Sequence, residues 1–95
     1  MFQNKRYLTR GIHESIPFEL QLFLWELIDS MKIEQDYLQV FELTVAKDAK
    51  QLLRHTQENP DYEVFYKLNV PNPVNAKIYV IDDIDHSTML LAEEY

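Results

Sequence analysis

Between Pro17 and Met31 the apolar residues recur at intervals of three and four. At about 100° per residue, Leu20, Leu24, Leu27, Ile28 and Met31 fall on one side of a helix, opposite Glu19, Glu26 and Ser30. The spacing predicts a helix over 17–31, with Ser15 as N-cap and Pro17 in the first turn, where a missing N–H costs nothing. Glu19 adds negative charge where the helix dipole favours it. The apolar arc is wide: Leu22 and Trp25 lie on its flank, and Phe23 projects between Glu19 and Glu26. Such a helix is either covered by the protein's own chain or offers this flank to a partner. Leu22, Phe23 and Trp25, rimmed by Glu19 and Glu26, are therefore candidate protein-interaction residues.

Elsewhere the pattern has period two. Lys5 to Arg10 reads as a first strand, ended by Gly11, the only glycine, at a turn or bulge needing positive φ. Tyr37 to Val45 is the strongest strand, with Tyr37, Phe41, Leu43 and Val45 on one face and Leu38 and Val40 on the other. Apolar groups on both faces indicate a central strand, or a sheet curled towards a barrel. Lys50 to Gln57 is read as a strand, with a helix as the alternative because the Leu52-Leu53 pair carries little periodicity. Glu58-Asn59-Pro60-Asp61 is a turn, and Tyr62 to Val70 alternates cleanly until Pro71-Asn72-Pro73 breaks it. Ala76 to Ile81 and Ser87 to Ala92 make a hairpin about the polar turn Asp82 to His86. The tail, Thr88 to Tyr95, mixes apolar and acidic residues and is expected to dock against the body. With no repeat or linker, residues 1–95 are expected to form a single small α+β domain. It has one amphipathic helix packed on a curled, mainly antiparallel sheet of five to six strands, in the order β-α-β-β-β-β-β.

Charge narrows the choice of partner. The net charge of −7 argues against nucleic acid or an anionic membrane, both of which are bound through excess Lys and Arg. The asymmetry is marked: residues 1–16 carry +2, whereas the last fourteen hold Asp82, Asp83, Asp85, Glu93 and Glu94 with no cation. Those five form a candidate acidic patch. A basic aromatic platform of Lys5, Arg6, Tyr7 and Arg10 with Tyr62, Tyr66 and Tyr79 is outweighed by the overall acidity. The chain has no cysteine and no apolar run long enough to span a bilayer, and the residues after Met1 are not expected to act as a secretory signal. A cytoplasmic location is expected.

Chemistry is harder to place. One glycine cannot build a phosphate-cradling loop or a nucleophile elbow. Asp85-His86-Ser87 holds the residue types of a hydrolase triad, but neighbours on an extended segment point to opposite sides. Asp83, Asp85, Ser87 and Glu94 match positions of a calcium loop, yet Thr88 stands where the sharp turn needs glycine. His13, His55 and His86 lack metal-ligand spacing and are expected on the surface or half-buried. No catalytic residue, metal site or cofactor is expected, and the protein is read as a non-enzyme.

Several phrases stand out together: Asn4-Lys5-Arg6-Tyr7, Thr9-Arg10-Gly11-Ile12, Glu19 to Trp25, Asp36 to Leu43 and Ser87 to Tyr95. Through them the chain resembles, nearly end to end, a family of short proteins of low-GC Gram-positive bacteria and their phages. That family is known only as a domain of unknown function, number nine hundred and sixty. The resemblance implies a cytoplasmic location and a mobile-element background, and brings no activity, cofactor or catalytic residue. The leading expectation is a small non-enzymatic interaction domain that binds a protein partner or itself. The alternative is an acidic nucleic-acid mimic that occupies a basic nucleic-acid-binding surface; an uncharacterised enzyme comes third.

Overall fold

A computed structural model describes residues 1–95. Six strands form one open sheet: β1 (Lys5–Leu8), β2 (Leu38–Val45), β3 (Gln51–Gln57), β4 (Tyr62–Leu68), β5 (Ala76–Asp82) and β6 (His86–Leu91). Two helices, α1 (Arg10–Ser15) and α2 (Phe18–Asp29), follow β1, and a 3-10 turn, Ala92–Glu94, closes the chain. The fold is α+β, as the alternation of periods indicates. The strand order is β1-β6-β5-β2-β3-β4, antiparallel throughout except where β1 runs parallel to β6. The sheet does not close into a barrel, so β1 and β4 are its edges.

The helices cover one face only. Leu20, Leu24 and Ile28 of α2 are buried, as the helical stripe requires, while Leu27 and Met31 are half-buried. They pack with Phe2, Ile12, Ile16, Phe41, Leu43, Leu53, Ile78, Val80, Met89 and Leu91 into one apolar core. Register pairs Phe41 with Ile78, Ile78 with Leu91, and Leu43 with Leu53, so that a continuous layer of side chains lies under α2. The Gln51–Gln57 segment is a strand, which settles the helix alternative: Gln51, Leu53, His55 and Gln57 alternate inward.

The start of the chain departs from the sequence reading. The first strand stops at Leu8, and Thr9 begins a helix whose Ile12 N–H donates to the Thr9 hydroxyl at 3.3 Å. Ser15 is thus the last residue of α1 rather than the cap of α2, whose N-cap position is Pro17, with no side-chain bond. Gly11 lies inside α1 and has no positive φ. Its glycine serves close approach instead, because a Cβ there would sit 2.5 Å from the Glu94 Oε2. The glycine is explained by the tail docking on α1, a contact invisible to local periodicity.

Candidate functional site

The flank of α2 is mostly covered by the chain itself. Phe23 is half-buried and meets Tyr66 of β4 edge to face, with ring centroids 5.9 Å apart. Trp25 is half-buried beneath the Arg6 guanidinium, 4.5 Å from its ring centroid. Arg6 is held there by the Phe2 carbonyl, which accepts from its Nε at 3.2 Å, and by Asp29. Of the candidate interaction residues only Leu22, Glu19 and Glu26 remain exposed. Phe23 and Trp25 are thus partly covered by the chain itself, one of the two arrangements that the wide apolar arc allows.

The acidic patch is likewise divided. Asp82 pairs with Ser87 near the start of β6, whereas Glu94 follows its other end in the 3-10 turn. Asp82 accepts from the main-chain N–H groups of Phe2 and Ile84 and from the Asn4 amide. Burial would raise its carboxyl pKa, but these donors outweigh it and hold the value below normal. Glu94 accepts from the Thr9 hydroxyl at 2.6 Å, the Leu91 N–H at 2.8 Å and the Gly11 N–H at 3.1 Å. The Thr9 bond, with the Leu91 N–H second, lowers its pKa. Asp83, Asp85 and Glu93 are exposed, but the five carboxylates do not make one surface.

The face of the sheet that the helices leave open carries what the sequence reading missed. Alternation places Leu38, Val40, Glu42 and Thr44 of β2 on it, with Leu52, Arg54 and Thr56 of β3 and Glu63, Phe65 and Lys67 of β4. Tyr79 and Ile81 of β5, Thr88 and Leu90 of β6, and Tyr7 of β1 continue it. The apolar positions that suggested a barrel on β2 are these uncovered ones: Leu38 and Val40 stay half-exposed because no second layer reaches them. Tyr7 is 52% exposed and Phe65 67%. At the β2–β4 end lies a hollow of about 580 Å³ floored by Leu38 and Val40. Asp36, Glu42, Glu58, Asp61 and Glu63 line it against only Arg54 and Lys77. Arg54 is committed, its Nη1 donating to Glu42 at 2.5 Å and its Nε to Glu63 at 2.6 Å. The hollow keeps an excess of three negative charges. The tyrosines and cations weighed as a nucleic-acid platform do not gather: Tyr62 and Tyr66 point to the helix side, Lys5, Tyr7 and Tyr79 to the open side.

Comparison places the chain. The family model described as "Staphylococcal protein of unknown function (DUF960)" matches residues 5–94. The chain belongs to this family. It is also similar to a crystal structure of the protein of unknown function from Enterococcus faecalis, with 26% sequence identity and a TM-score of 0.82. That alignment covers 97% of this chain and 91% of the other. No curated protein matches.

Beneath the hollow runs a buried polar chain. His55 is fully buried, against the expectation that every histidine would be surface or half-buried. Its ring stacks on Phe41 at 4.3 Å, and its Nε2 lies 2.7 Å from Gln39 Oε1. The Gln39 amide nitrogen donates to Gln57 Oε1 at 2.7 Å and to the Asp36 carbonyl at 2.9 Å. Gln57 in turn donates to the carbonyls of Glu34 and Pro60. Because Gln39 spends its donors there, its oxygen must accept, so Nε2 of His55 carries the proton. Nδ1 is left bare without a hydrogen-bond partner, and burial pushes the imidazole pKa down to about 4. The imidazole stays neutral and fixes the Gln39 side chain, while Gln39 and Gln57 tie residues 34–36 and the Pro60 turn to the sheet. Four inward residues of β3 reading Gln, Leu, His, Gln were the signal that this strand buries amides.

Proposed function

We propose that the protein is a small non-enzymatic interaction domain that binds a protein partner through the open face of its sheet. The observation that carries this reading is a face that the helices leave open and the C-terminal turn covers only at Tyr79, where half-buried Leu38, Val40 and Ile81 adjoin a hollow with excess negative charge. Exposed apolar area rimmed by charge is the usual composition of a docking surface. Charge complementarity selects the partner: a segment presenting aliphatic side chains flanked by Lys or Arg. A cytoplasmic setting, with the Gram-positive and phage background of the resemblance, accords with a chain lacking cysteine.

The test is affinity capture from a native-host extract with matched variants. Val40→Asp on the floor, and Glu58→Lys with Asp61→Lys on the rim, are expected to lose the captured protein while Leu22→Ala retains it. Binding should weaken as salt rises, because the rim charges are exposed. Loss with Leu22→Ala alone would return the role to the helix flank.

A second reading, nucleic-acid mimicry, is favoured by the same hollow rather than by the tail. Its five carboxylates lie on one side of the molecule, where a basic nucleic-acid-binding surface would meet them together. Release of the captured partner by duplex or single-stranded DNA would select this reading. Capture indifferent to nucleic acid would leave ordinary protein docking.

A further inference from the structure

β4 is bonded on one side only, to β3, and its other side is the edge of the sheet. All seven residues from Tyr62 to Leu68 pair one to one with β3, so the strand carries no bulge. Pro60 and Pro71 stand outside it. An edge of this kind is a template for another strand unless charge or distortion blunts it. Here the charges are arranged to match themselves.

We propose that the protein forms a two-fold dimer in which β4 pairs antiparallel with β4 of a second copy, joining the two sheets into one. An axis through Phe65 sets Phe65 opposite Phe65 of the second copy, Glu63 opposite its Lys67, and Lys67 opposite its Glu63. In an antiparallel pair, opposed residues share a face. Two ion pairs therefore flank an aromatic pair on the open side. Val64 and Tyr66 of the two copies oppose each other on the helix side, beside Phe23. A register shift of two residues either way sets a charged side chain against Phe65 and dissolves both ion pairs. The sequence thus specifies one register.

The exposed groups retain bonding capacity. Glu63 uses Oε2 for Arg54, and Lys67 gives one donor to Asp48 at 2.9 Å, so Glu63 Oε1 and two ammonium hydrogens remain for the contact. Phe65, 67% exposed in one copy, gains the cover it lacks. The symmetry is that of an isologous contact, in which one patch complements itself.

Analytical ultracentrifugation of the full chain at about 0.15 M salt tests the proposal, since that ionic strength screens repulsion between two acidic bodies. The unaltered protein is expected to sediment as a dimer across micromolar concentrations. Glu63→Lys alone, or Lys67→Glu alone, places like charges at both symmetric contacts and should raise the dissociation constant about tenfold or more. An equal mixture of those two variants should associate again, because each supplies the charge the other needs. The double variant Glu63→Lys/Lys67→Glu should recover self-association, with circular dichroism confirming each fold. As an independent readout, Phe65→Cys in this cysteine-free chain should cross-link under copper-phenanthroline and oxygen, whereas Leu52→Cys should not. A monomeric parent protein, single variants that remain dimeric, or a mixture that fails to associate would overturn the proposal.

Discussion

Protonating His55 would put a charge between the rings of Phe41 and Tyr62, in a site closed to water. Its pKa falls from 6.5 to about 4 on folding, so between those values the unfolded chain binds more protons than the folded one. Stability should therefore fall as pH drops through that window, by about 3 kcal/mol in all. Denaturation midpoints measured from pH 7 to pH 4 should show this slope, and His55→Leu should flatten it. Asp82 acts at lower pH: its carboxyl is lowered from 3.8, so its stabilisation is present above that value and lost only as acid reaches the folded pKa. Gly11 and Glu94 offer a second test at this scale. Gly11→Ala should destabilise the parent protein, because its Cβ displaces a carboxylate held by three donors. In a Glu94→Ala background the same change should stabilise, by up to about 1 kcal/mol of helix propensity. Thermal melts of the four proteins would show the change of sign. The lone glycine was conspicuous in the sequence, but its reason was not, since its partner lies 83 positions away.

The element most legible from the sequence was α2, because its 3.6-residue stripe states which side must be buried. Leu24→Ala should cost about 2–5 kcal/mol, as for a large-to-small change in a packed core. Phe23 is different: edge-to-face contact with Tyr66 should appear as a coupling of about 0.5–1.5 kcal/mol in a double-mutant cycle. No coupling would free Phe23 for the interface role its acidic neighbours suggested. In the β5–β6 hairpin, Ile84 holds φ at 77° and is 89% exposed. A β-branched residue is strained there, so Ile84→Gly should raise the unfolding free energy by about 1 kcal/mol. The sequence marked this turn by its polarity and could not show which residue took the left-handed conformation.

Across the whole molecule, strand order governs local stability. β5 and β2 have neighbours on both sides, whereas β1 is a four-residue edge held by one parallel ladder. Amide hydrogen exchange should therefore be slowest in β2 and β5 and fastest in β1. Exchange in β1 as slow as in β2 would mean that the docked tail, rather than the ladder, fixes that edge. The same order explains why both faces of β2 looked suited to burial. One lies under α2, and the other is exposed in the monomer as the candidate docking face.

The sequence by itself determined the main helix, its buried stripe, the alternating strands and the hairpin, because these follow from side-chain periods of 3.6 and 2 acting over short distances. It also determined the acidity and the matched charges of Glu63 and Lys67. The tertiary structure alone decided which strands are neighbours, and with that which carboxylates are occupied and which remain free. It turned Asp82 and Glu94 into structural acceptors, buried His55, covered Phe23 and left one face of the sheet open. The physical reason is common to all four. Each depends on hydrogen bonds or packing between segments far apart in the chain, and local periodicity carries no information about them.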